Sequence, residues 1–139
     1  MSAYGWALIT AAIWGIVPMM EKAGLGQAPP AAGVAIRSLG VLVGLVVFSL
    51  IWSPWAACAA MPARSIVLLM AGGCLASFVG QMAFYEALKS GAVSQVTPVA
   101  GAYPLISVLL GWLILREPFT LSRALGALCV VAGIALLRR

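Results

Sequence analysis

The sequence predicts an all-α integral membrane protein of five transmembrane helices in an up-down bundle. Three observations predict it. Of 139 residues, 64% are hydrophobic; only 8% are charged; and the charges stand at the ends of long uncharged runs. Soluble domains carry about 25% charged residues, and a small one has a large surface to cover with polar side chains. This chain has no histidine, three acidic residues and a mean hydropathy of +1.13, so most of its surface is expected to face a lipid bilayer. The net charge of +5 comes from basic residues scattered along the chain. Placed at helix ends they anchor to lipid headgroups, and no nucleic-acid partner is expected.

The uncharged runs are Met1–Met20, Ser38–Ala63, Ser65–Tyr85 and Ser90–Leu115, and Phe119–Leu137 holds only Arg123. About 20 apolar residues cross the hydrocarbon core at roughly 1.5 Å each. The helices are therefore placed at about 3–21, 31–52, 65–87, 95–115 and 119–137, forming one domain over 1–139. Gly24, Gly26, Pro29 and Pro30 punctuate the first loop. Ser53, Pro54 and Pro62 mark the second, flanked by Trp52 and Trp55 at the depth that aromatic rings prefer. Lys89-Ser90-Gly91 marks the third and Arg116-Glu117-Pro118 the fourth. Helix 1 lacks the basic start and short apolar stretch of a signal peptide. Cys58, Cys74 and Cys129 have no paired spacing, so neither a disulfide nor a metal is expected. There is no phosphate-binding loop, no nucleophile–base pair and no cofactor motif, so the chain is not expected to be an enzyme.

The charges that do exist carry the functional reading. By alternation, Glu21 and Lys22 at the end of helix 1, Arg37 in helix 2, and Glu86 and Lys89 at the end of helix 3 lie on one side of the membrane. An arginine at the centre of a span costs about 2.5–3.5 kcal/mol, less near the interface, and needs a carboxylate, carbonyls or water. Glu21 or Glu86 can supply the carboxylate. Arg37 then either fixes helix packing as an ion pair or binds a substrate carboxylate or phosphate. Glu86 is three residues from Lys89, at pairing distance on a helix surface, or it couples a proton. Gln81 and Tyr85, four apart, share a face with Ser77, and Trp14 and Tyr103 add aromatic surface; with Arg37 these form the candidate substrate-binding set. Glu117 is expected to serve the fourth turn. Pro98, Gly101 and Pro104 predict a break in helix 4, since each proline removes a backbone bond and broken helices line transporter sites. Gly40 and Gly44, and Gly72, Ala76 and Gly80, form small-residue rows of the kind that let helices approach.

Orientation is weakly specified. With the N-terminus inside, Arg64, Arg116 and Arg123 face the cytoplasm, and Lys22, Lys89, Arg138 and Arg139 face out. A one-charge difference does not fix a topology under the positive-inside rule. Either the chain inserts both ways, or features other than loop charge orient it. An odd number of spans inserted both ways gives an inverted pair, the arrangement behind alternating access.

The chain resembles a single repeat of the EamA family, within the drug/metabolite transporter superfamily. The resemblance lies in Trp14-Gly15 of "AAIWGIVPMMEKAGL", the intramembrane arginine of "AAGVAIRSLG", "FYEALKSGAVS", "TPVAGAYPLISVLLGWLILREPFT" and "LGALCVVAGIALL". Each motif is weak alone; their order and spacing over the whole length are specific. Most members have two repeats and ten helices, and this chain has one. The resemblance implies a secondary transporter, an exporter of small metabolites or amphipathic solutes, working as a dimer by alternating access. The dimer would be an antiparallel homodimer or a hetero-pair with a related chain in a bacterial inner membrane. The small multidrug resistance relatives, with an acid deep in helix 1 and a glycine face on the last helix, imply that Gly126 and Gly133 form the dimer contact. Here Glu21 sits at the helix end instead, which weakens a drug-antiport reading. The alternatives are a lipid-linked sugar flippase subunit and a non-transporting membrane scaffold.

Overall fold

Uninterrupted apolar sequence makes long helices, and capping residues stop them. In the computed structural model, which describes residues 2–118 and 120–137, α1 spans Ala3–Leu25. Ser2 caps it by accepting the Gly5 N–H. The helix passes the expected end at residue 21 by a full turn and runs through Gly24. An internal glycine costs only about 1 kcal/mol, whereas Gly26 takes φ +50°, where an L side chain is disfavoured, and there the helix ends. α2 (Pro30–Trp52) opens on Pro30, whose missing N–H would have had no helical partner anyway. Ser53 closes it in the left-handed region. A short α3 (Trp55–Ala59) occupies the second loop, where no helix was expected.

The third span is continuous over Ala63–Ser90 but not uniform. α4 (Ala63–Cys74) passes into a π-helical turn (Leu75–Gly80) and then α5 (Gln81–Ser90). The fourth is broken into α6 (Val93–Ala100) and α7 (Tyr103–Leu113). α8 covers Leu121–Leu137. Phe119, expected to open the fifth helix, and Arg138 and Arg139, counted in the charge balance, lie outside the described residues. Four spans have 21 to 28 residues, ample for the bilayer, and α8 with 17 is at the short end of what crosses it. Among the described residues there is no strand, and the fold is that of one helical repeat.

The chain forms two compact units, residues 1–89 and 90–139. In the first, α1 packs on α2, and α2 on the π turn. Its buried residues, Pro18, Leu25, Pro30, Val34, Tyr85 and Leu88, gather where α1 ends, α2 begins and α5 ends. Elsewhere its helices present leucine, isoleucine, valine and methionine outward, as lipid contact requires. In the second unit α6 and α7 pack on α8, with Gly111 and Ala127 buried.

Three glycines of the small-residue rows do not make these contacts. A side chain at Gly40, Gly44 or Gly72 would meet nothing within 4 Å, whereas one at Gly33 would strike Leu25 and Tyr85. Close approach occurs at the start of α2, where a small residue faces an aromatic ring, while Gly40, Gly44 and Gly72 are exposed.

Candidate functional site

Four residues from three helices meet inside the first unit. Glu21, one turn before the end of α1, is the acceptor for the other three. Its Oε1 accepts from Arg37 Nε at 3.1 Å, from Gln81 Nε2 at 3.1 Å and from the Tyr85 hydroxyl at 3.0 Å. Its Oε2 accepts from the same Gln81 amide at 3.1 Å. Glu21 has 12% of its side chain exposed and Arg37 has 32%, so the carboxylate is the more buried partner. A buried carboxylate persists only when paired and hydrogen-bonded; here one cation and two neutral donors do both.

Local sequence explains each position. Arg37 is seven residues beyond Pro30, about 10 Å along α2. Gln81 and Tyr85 are one helical turn apart on α5 and approach the carboxylate together. Tyr85 is 3% exposed. It lies against α2 because Gly33 has no side chain: a Cβ there would stand 2.8 Å from the tyrosine ring. Lys22, the next residue on α1, reaches across to donate to the Leu88 carbonyl at 2.6 Å. That carbonyl belongs to the last turn of α5, where a lysine satisfies an orphan acceptor and suits the helix dipole. Glu21 and Lys22 together therefore tie α1 to α5.

Arg37 meets Glu21 through Nε alone, and among the described residues its two terminal amino groups have no protein acceptor. An arginine offers five donors in a planar fork. The guanidinium is thus held from one edge while its far edge stays available to an anionic group.

The other candidate residues lie elsewhere. Trp14 is seven residues before Glu21, 60% exposed and outside the cluster. Glu86 follows Tyr85 on the exposed side of α5. Ser77 falls in the π turn, so the four-residue spacing of Gln81 and Tyr85 does not extend back to it. Tyr103 is the first residue of α7, in the second unit, and exposed. Pro98 lies inside α6; Gly101 ends it by donating to the Thr97 carbonyl at 2.8 Å, and Pro104 stands in the first turn of α7. Gly126 and Gly133 lie on α8, and among the described residues nothing beyond their own helix's backbone comes within 4 Å of an added Cβ. Glu117 donates its N–H to the Gly111 carbonyl at 3.1 Å, its carboxylate pairs with Arg123 at 3.5 Å, and Arg116 before it takes φ +53°.

Gly33 and the π turn were not singled out from sequence as parts of a site, and Lys22 was named only among the charges on one side of the membrane. Gly33 had a signal: the run Ala31-Ala32-Gly33, one turn before Arg37, marks the one stretch of helix 2 where a small face and a charge coincide. The π turn had none, since Ala76, Ser77 and Gly80 within it read as positions on an ordinary helix.

Apolar helices of membrane length and a polar cluster held inside them define a polytopic membrane protein. The sequence model of the EamA-like transporter family matches residues 1–139, and the chain belongs to that family of membrane transporters. It is 27% identical over 132 residues to a Sinorhizobium protein named as an uncharacterized transporter in the cobO 3' region, covering 95% of this chain and 93% of that one. It is also 37% identical over 59 residues to an uncharacterized protein of Methanocaldococcus jannaschii, 42% of this chain and 43% of that one. No solved structure gives a significant match.

Proposed function

We propose that the chain is a secondary transporter exporting small metabolites or amphipathic solutes from a bacterial cell across the inner membrane. The observation that carries this is the Glu21–Arg37 pair, held within membrane-spanning helices with one edge of the guanidinium unused. An ion pair needed only for packing can often be replaced by apolar side chains without loss. Ionisable groups inside membrane spans concentrate where they meet a solute or a proton.

In this reading Arg37 takes an anionic group of the solute. Gln81 and Tyr85 flank it, and Trp14 supplies aromatic surface. Glu21 is the coupling carboxylate: protonation removes its charge and loosens its hold on Arg37, and Glu86 is a second such group. Pro98, Gly101 and Pro104 make the fourth span the moving segment. Alternating access comes from a dimer of oppositely inserted copies, or from a hetero-pair with a related chain, meeting at Gly126 and Gly133. The same five-helix domain would serve in either orientation.

Two experiments test this. Metabolites are profiled by mass spectrometry in the medium of cells expressing wild type or Arg37→Gln at equal abundance. Wild type is expected to raise at least one small solute severalfold over the variant; identical media refute export through Arg37. For orientation, the three native cysteines are replaced, single cysteines are placed at Gly26 and Arg64, and intact cells are labelled with an impermeant thiol reagent. Partial labelling at both sites supports the antiparallel homodimer. Labelling at one site alone removes it and leaves the hetero-pair or a non-transport role.

A further inference from the structure

The face that α5 turns toward Glu21 is set by the turn that precedes it. Leu75–Gly80 is π-helical, and a π turn bonds each residue to one five positions away, taking up an extra residue relative to an α turn. One residue of α-helix is a rotation of about 100°. Gln81 follows the turn directly and Tyr85 comes four residues later, and both donate to Glu21. With the same six residues in α-helical form, α5 would be turned by about 100° relative to α4. Gln81 and Tyr85 would then leave the carboxylate, and the tyrosine ring would leave Gly33.

Two features suit this segment to exchanging between the forms. No residue of the turn is buried, although it lies beside α2, so it has room to re-form. Gly80 closes it, and a Cβ at Gly80 would stand 3.2 Å from the Leu75 carbonyl oxygen, five residues back. A side chain at that position therefore presses on the π form, and glycine relieves it. Both forms keep nearly all backbone bonds within the helix, as lipid demands.

We propose that Leu75–Gly80 is a register switch: π-helical, it holds Gln81 and Tyr85 on Glu21; relaxed to α-helix, it turns both donors away and leaves the carboxylate to Arg37 alone. The switch rests on the geometry of the first unit and not on what is transported, so its test needs no substrate.

The protein is labelled with 3-fluorotyrosine and reconstituted in lipid nanodiscs. The Tyr85 fluorine signal is assigned by its loss in Tyr85→Phe, and its unbonded position is set by Glu21→Ala. Wild type is expected to give two Tyr85 signals, bonded and unbonded, or one signal broadened between them. Deleting Val79 removes the extra residue, so a continuous α-helix keeps both flanks on their present faces; only the bonded signal should remain. Gly80→Ala should move intensity the other way, toward the unbonded position. One sharp Tyr85 signal in wild type, unmoved by Gly80→Ala, overturns the proposal, whether or not the deletion variant folds. A deletion variant that folds yet shows the unbonded signal overturns it too.

Discussion

Replacing Gly33 with alanine puts a methyl group 2.7 Å from Leu25 Cδ1 and 2.8 and 2.9 Å from Tyr85 Cε2 and Cδ2. Carbon atoms in ordinary contact sit about 3.5–4.0 Å apart, so the ring must move by roughly 1 Å. It has little room, since Tyr85 is 3% exposed and Leu25 7%. The Tyr85 hydroxyl donates to Glu21 at 3.0 Å, and such a shift takes it beyond hydrogen-bond range. Overpacking costs about 1–3 kcal/mol, and losing a hydrogen bond to a charged acceptor costs about 1.5–3 kcal/mol. Exchanging glycine for alanine within a helix returns about 0.5–1 kcal/mol. The expected net destabilisation is about 1.5–5.5 kcal/mol. It is measured by titrating micelle-solubilised protein with SDS and following helicity by circular dichroism. Gly15→Ala is the control, because a Cβ at Gly15 meets nothing within 4 Å, and it should be neutral or slightly stabilising. In a Tyr85→Phe background the hydrogen bond is already gone, so Gly33→Ala should cost only its overpacking share. A Gly33→Ala curve that overlays Gly15→Ala would refute the close packing on which the site's geometry depends.

Three further outcomes are expected. Arg37→Gln strands a carboxylate that keeps its two neutral donors; because the pair is only partly buried, the fold should lose about 1–3 kcal/mol, less than the one-sided break of a fully buried pair costs, and Glu21→Gln with Arg37→Gln together should recover most of that in the same titration. Arg116 holds φ +53°, so Arg116→Gly should be neutral or stabilise by about 1 kcal/mol and Arg116→Val should destabilise, read from the same unfolding curves. If α8 forms the dimer contact, leucine at both Gly126 and Gly133 should abolish cross-linked dimer in membranes while leaving helicity unchanged; a persisting dimer places the contact elsewhere.

The parts of the site differed in how far sequence could show them. Arg37 was conspicuous because a charge inside an apolar run must find a partner, and Glu21 and Glu86 were the acids within reach. The structure gives the arginine to Glu21. Gln81 and Tyr85 could be placed on one face by their spacing, yet that they meet Glu21 depends on the phase of α5, and the phase depends on a π turn whose residues read as ordinary helix. The break near Gly101 was legible because proline and glycine act on their own backbone. α1 runs four residues past the expected end because Gly24 continues the helix and only Gly26 takes a positive φ.

The sequence by itself determined that this chain crosses a membrane, with which segments, and as a member of which family. Transfer into lipid depends on summed side-chain chemistry over about 20 residues, which a linear string contains in full. Tertiary structure alone decided that Gly33, not the glycine rows, seats the tyrosine. It likewise decided that three donors from two helices converge on Glu21, and that the arginine keeps one edge free. Those facts depend on helix rotation and on contacts between residues some 60 positions apart. A change of one residue in helical register, about 100°, is enough to undo them.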